Sequence, residues 1–258
     1  VLSTEAKALA DQAVRRGERL YLYDRLAWVA SDIYQEALRR SAVSPPDSVV
    51  WAVRPLAEGG HMVSFIINIA EDGGYVDGEV YFSAEVDPDR CLREGGEDPT
   101  LCEGIDIARG VRPATADEQR WVQARRTMYA DPELRVCTAA APNFSLLNEG
   151  EASYGYVLSA TEDPAEVILS GHTRYLLSAD GGEVLEREPL FERCQVIRTD
   201  QEQISEALLV ASPTADLFHE GHVFLLLDQQ LPVFVSGRLG ALIALELVDG
   251  EVAWRQVR

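Results

Sequence analysis

The chain has 258 residues with 23 basic and 43 acidic side chains, for a formal charge of −20. Contact with phosphate needs a basic stripe, so this balance argues against nucleic acid or an anionic membrane as partner. Lys7 is the single lysine; that excludes a Gly-Lys-Ser/Thr phosphate loop and leaves Schiff-base chemistry only a residue near the chain start.

With 47% hydrophobic and 26% charged residues, the composition is that of a folded protein rather than an acidic tail. No apolar run approaches the ~18 residues that a membrane-spanning helix needs. The chain begins at Val1 rather than Met, and the expectation is a trimmed chain or a removed signal peptide.

Residues 3 to 40 read as helical, with Ser3 or Thr4 as cap and Gly17 as a break between two segments. Leu22, Leu26, Val29, Ile33 and Ala37 recur on one face, and Ser44-Pro45-Pro46-Asp47 stops the second segment. Short β-like runs follow at Val49 to Val53, Met62 to Ala70 and Glu79 to Val86, the last two separated by the turn Asp72-Gly73-Gly74. Thr115-Ala116-Asp117-Glu118 is a capping box opening a helix over residues 116 to 130.

The remainder reads as strands: Tyr154 to Ala160, Val167 to Leu169, Thr173 to Ala179, Val184 to Glu188, Gln195 to Arg198, Val223 to Asp228, Val233 to Ser236, Ala241 to Val248 and Val252 to Val257. Asp180-Gly181-Gly182 and Asp249-Gly250 are tight turns, which join antiparallel neighbours. The expected class is α+β, with N-terminal helices packed on antiparallel, hairpin-connected sheets. The chain forms a single domain or two subdomains, residues 1–112 and 113–258.

The four cysteines, Cys91, Cys102, Cys137 and Cys194, lack Cys-x-x-Cys spacing. Of three connectivities we favour Cys91 with Cys102, closing a polar loop, and Cys137 with Cys194, tying two strand regions. On the chain-entropy model these stabilise by roughly 3 and about 4 kcal/mol. Four free thiols in a cytosolic protein are the alternative.

Between Glu71 and Asp106 stand twelve carboxylates against Arg90 and Arg93, half of the chain's net charge in 36 residues. A solvated surface is the plain reading. A calcium loop lacks the Asp-x-Asp-x-Asp-Gly spacing. The functional expectation is a docking face for a basic protein, with Asp87, Asp89, Glu94, Glu97, Asp98 and Glu103 as partner-binding residues. A neighbouring disulfide would reduce the ordering cost of binding.

Gly-His recurs at Gly60-His61, Gly171-His172 and Gly221-His222, and the fourth histidine opens His219-Glu220-Gly221-His222. Read as leading into a strand, His219 and His222 point to opposite faces, which works against shared zinc ligation. No local nucleophile motif is present, so no catalytic, metal or cofactor residue is assigned.

The segment GHTRYLLSADGGEVLEREPLFERC (Gly171 to Cys194), with the later His222-Val223-Phe224, Pro232-Val233-Phe234-Val235 and Trp254, resembles a pattern of exported proteobacterial proteins. The resemblance covers the C-terminal 110 or so residues and carries no activity. It implies a bacterial envelope location and the Cys137 to Cys194 pairing. The expected function is therefore that of an exported, non-enzymatic acidic protein that binds another protein, most concretely an immunity or inhibitor protein against a secreted toxin or hydrolase. The alternatives are a periplasmic hydrolase using His172, His219 or His222, and a structural accessory of an envelope complex.

Overall fold

The computed structural model describes residues 2–67, 74–94, 102–163, 165–191, 193–198, 206–212, 215–238 and 240–257. The turn at Asp72-Gly73 and the carboxylates Glu71, Glu97 and Asp98 lie outside them. The chain is α+β, as the patterning indicates. It divides into two units interleaved in sequence: unit 1 comprises Val1–Tyr21, Ala130–Leu176 and Val184–Arg258, and unit 2 comprises Leu22–Tyr129 and Leu177–Glu183.

The first element, α1 (Thr4–Arg40), is one helix of 37 residues rather than two. Ser3 Oγ caps it by accepting from the Ala6 N–H at 3.1 Å. Gly17 does not break it. A Cβ at Gly17 would stand 2.4 Å from the Val223 Cβ and 2.8 Å from the Glu220 carbonyl, so the glycine serves close approach of another element rather than a kink.

Unit 2 holds a sheet in the order β1-β2-β3-β4 (Val50–Pro55, His61–Ile67, Tyr75–Phe82, Ile105–Pro113), antiparallel throughout. Tyr34 of α1 stacks on Phe65 with centroids 4.2 Å apart, and a Cβ at Gly78 would meet the Tyr34 ring at 2.9 Å. The last turns of α1 therefore cover one face of the sheet. α3 (Ala116–Tyr129) opens on the expected capping box, Glu118 accepting from the Thr115 N–H and the Thr115 hydroxyl accepting from the Glu118 N–H. Arg112 ties Glu118 to Glu79, whose side chain lies opposite to the buried Val80 by strand alternation, which places α3 on the other face. Central β2 is accordingly buried on both faces between Met62 and Ile66.

The cysteine loop holds a short helix that sequence patterning missed, α2 (Pro88–Glu94), capped by Asp87, which accepts from the Asp89 and Arg90 N–H groups. Cys91 on α2 bonds Cys102, just before β4.

Unit 1 holds three sheets: β5-β6-β8-β9 (Asn143–Glu149, Ala152–Leu158, Thr173–Leu177, Val184–Pro189), the pair β10-β7 (Val196–Arg198, Glu166–Ile168), and β11-β12-β13-β14 (Leu208–Ser212, Val233–Gly237, Leu242–Val248, Glu251–Gln256). Cys137 bonds Cys194 within this unit.

Two expectations are corrected here. Val223 to Asp228 is not a strand but lies in α4 (Glu220–Gln229), because a continuous apolar run has no period of its own and His219 caps it as a helix. Hairpins also do not account for every pairing: β11 and β12 are parallel, with α4 in the crossover between them. No helix among the described residues is long and apolar enough to cross a membrane.

Candidate functional site

Two places in the described structure gather chemistry, one in each unit. In unit 1, α4 begins with the chain extended at His219 (φ −130°, ψ 173°). Its Nδ1 accepts from the Gly221 N–H at 3.1 Å, and the His222 Nδ1 accepts from the His219 N–H at 3.2 Å. The two histidines thus form a capping box in which imidazoles do the work usually given to Ser and Glu. Their rings sit 3.8 Å apart, and the Phe191 edge meets His219, His222 and His172 at 4.9, 5.2 and 5.7 Å. His172 accepts at Nδ1 from the Ser159 N–H, 3.2 Å away.

A buried ionic network lies beside them. Glu220, 1% exposed, accepts from the Tyr156 hydroxyl at 2.8 Å and from Arg174 at 2.6 Å. Arg174 also reaches Glu188. Arg16 makes a bidentate pair with Glu149 and lies over the Tyr154 ring.

The histidines expected to be separated are therefore brought together with a carboxylate, because a helix places positions three apart on one side. Their tautomers nevertheless oppose catalysis. A backbone N–H occupies each Nδ1 lone pair, so the ring proton sits on Nε2, where neither a metal nor a substrate proton can be taken up. The Nε2 atoms of His219 and His222 are buried and make no hydrogen bond among the described residues. Burial holds His172 down to about 4 and His219 to about 3, and pushes His222 well below the usual histidine range. No group of three or more His, Cys, Asp or Glu side chains among the described residues could hold a metal. A depression of about 260 Å³ elsewhere in unit 1 is lined by Thr138, Ala139, Ala140, Thr161, Glu162 and Glu166, where the Thr161 hydroxyl donates to the Glu166 carboxylate at 2.9 Å.

The second place is the acidic segment of unit 2. Several of its carboxylates are engaged internally: Asp77 with Arg109 at 2.9 Å, Glu79 with Arg112 at 2.6 Å and Asp89 with Arg25 at 3.5 Å. Asp89 therefore belongs in part to the fold rather than to a free docking face. Asp87 is exposed, caps α2 and lies 3.9 Å from Arg93. Glu85, Glu103 and Asp106 are exposed and have no ion pair among the described residues. Glu97, Asp98 and the Glu94 side chain lie outside the described residues.

What sequence reasoning did not find is the strand beside them. β4 is the edge of its sheet, and its side chains are exposed on both faces through most of its length. The clue was only Ile105-x-Ile107, since the arginines that follow hide the alternation.

Comparison of the chain with known protein families, with curated proteins and with solved structures finds no match.

Proposed function

We propose that this is an exported acidic protein that acts by binding another protein, without catalysis of its own, through the surface around α2 and the start of β4. An immunity or inhibitor protein that neutralises a secreted toxin or hydrolase is its most concrete form. The observation that carries the reading is that Glu85, Glu103 and Asp106 are exposed without an ion pair among the described residues, beside an exposed Asp87 that Arg93 approaches, around a segment pinned by the Cys91–Cys102 bond, while Asp77, Glu79 and Asp89 are already paired with arginines. Charge held in a fixed shape speeds encounter with a basic partner and enforces specificity. Two disulfides are compatible with an oxidising compartment.

Affinity capture from bacterial envelope proteins tests this, with the native chain against a Glu85→Gln, Asp87→Asn, Glu103→Gln, Asp106→Asn variant. A partner retained by the native chain and released by the variant supports the reading. A partner held equally by both contradicts it.

The hydrolase alternative draws on the gathering of His172, His219, His222 and Glu220. It requires an imidazole lone pair directed at a substrate, and the backbone hydrogen bonds at Nδ1 work against that.

A further inference from the structure

The edge of β4 specifies how such a partner would bind. Phe82, Tyr81, Val80, Glu79 and Gly78 of β3 stand opposite Ile105, Asp106, Ile107, Ala108 and Arg109. One position further along, the Ser83 N–H donates to the Gly104 carbonyl at 2.9 Å. Hydrogen-bonded and non-hydrogen-bonded pairs alternate in an antiparallel ladder. The backbone groups of Asp106 and Ala108 are therefore turned toward β3, and those of Ile105, Ile107 and Arg109 toward the open side. Beyond Arg109 the register shifts between Val76 and Gly78, so Gly110 and Val111 together stand opposite Asp77 and interrupt the edge.

The side chains divide by face. Ile105 and Ile107 share the face of Phe82 and Val80, which are 2% and 0% exposed, but Ile107 itself is 39% exposed. Among the described residues the apolar layer of the sheet thus runs out to the edge, where Ile105 is half-buried and Ile107 exposed. On the opposite face Asp106 stands beside Tyr81, exposed and without an ion pair among the described residues; Arg109 shares the face of Ile105 and Ile107 and is already bound to Asp77. Natural edges are usually blunted by lysine, proline or a bulge. Within Ile105–Arg109 the only cation is the neutralised Arg109 and there is no proline.

We infer that Ile105–Arg109 accepts an extended segment of the partner protein as a fifth strand of the sheet, a segment whose side chains alternate between apolar and basic. Apolar side chains would cover Ile105 and Ile107, and basic ones would meet Asp106, with Glu103 and Glu85 contributing to the field. This rests on the acidic-face reading and adds a binding mode to it.

The test uses the full chain and a seven-residue peptide of alternating valine and lysine, blocked at both ends. Ile107→Pro removes an outward-pointing N–H without touching the ladder to β3, where an edge proline is tolerated. Binding of the peptide should fall about tenfold in this variant, the loss of one to two hydrogen bonds. The same peptide N-methylated at alternate residues should lose binding to the native chain, a check that does not depend on how the variant folds. Asp106→Asn should weaken binding severalfold and reduce its salt dependence. Native-like binding by Ile107→Pro and by the N-methylated peptide would overturn strand addition and leave the acidic face standing. Binding that needs the open edge but ignores Asp106 and salt would overturn the acidic reading instead. Absence of binding at millimolar peptide would overturn the inference.

Discussion

Ile107 stands directly opposite Val80 in the β3–β4 ladder, yet Val80 is wholly buried and Ile107 is 39% exposed. Two apolar neighbours on one face thus have opposite relations to water. Val80→Ala should cost about 2 kcal/mol, from lost transfer free energy and a cavity. Ile107→Thr should stay within about 0.5 kcal/mol of the native chain. Urea denaturation of the two variants measures both. Equal losses would mean that the β4 edge is covered in solution.

Gly17 gives a prediction whose sign departs from helix propensity. In an exposed helix Gly→Ala stabilises by roughly 1 kcal/mol. Here the added methyl would overlap Val223 and the Glu220 carbonyl, so Gly17→Ala should destabilise by about 1–3 kcal/mol. Val223→Ala in the same chain should recover part of that loss, which thermal denaturation of the single and double variants would show.

The buried histidines make the protein acid-labile. The unfolded chain binds protons at His172 and His219 as pH falls through about 6.5, while the folded chain resists until about 4 and about 3. Unfolding then takes up protons, and stability falls with pH across that window by about 1.4 kcal/mol per pH unit for each histidine. Asn at position 219 retains a cap acceptor and does not titrate. His219→Asn should therefore stay folded at pH 7 and lose stability less steeply between pH 6.5 and 4. An unchanged slope in pH-resolved denaturation would contradict the burial of His219.

Glu118 adds a separate acid dependence in unit 2. Burial alone would raise its carboxyl, but Arg112 and the Thr115 backbone and hydroxyl hold it at about 2. Because the folded value is depressed, this stabilisation is full above the ordinary value of 4.5 and is lost as pH falls toward 2. Glu118→Gln should cost roughly 3 kcal/mol at pH 7 by leaving Arg112 with one carboxylate fewer, and the cost should shrink in acid. A cost that stays constant down to pH 3 would show that the pair is not what shifts the carboxyl.

Periodic and punctuated segments were legible in the sequence: the amphipathic stretch from Leu22 to Ala37, the box Thr115–Glu118, and the turns at Asp180-Gly181-Gly182 and Asp249-Gly250. What stayed hidden has physical causes. The Val223–Leu227 run is apolar throughout and carries neither period, and an imidazole cap falls outside the usual Ser, Thr, Asp and Asn set. Gly17 reads as a break because sequence does not show what passes beside it. β4 escaped notice because an edge strand exposed on both faces loses the alternation that marks a half-buried one. The acidic segment is visible as a charge excess, but its division into carboxylates paired with Arg25, Arg109 and Arg112 and carboxylates left at the surface depends on which elements the fold brings together.

The most direct measurement is amide hydrogen exchange of the native chain with and without the alternating valine–lysine peptide. Exchange at Ile105, Ile107 and Arg109 should slow on binding, with Asp106 and Ala108, already bonded to β3, changing less, and the effect should weaken as salt is raised. Protection confined to other elements, or none at Ile105, Ile107 and Arg109 while the peptide is bound, would contradict the account.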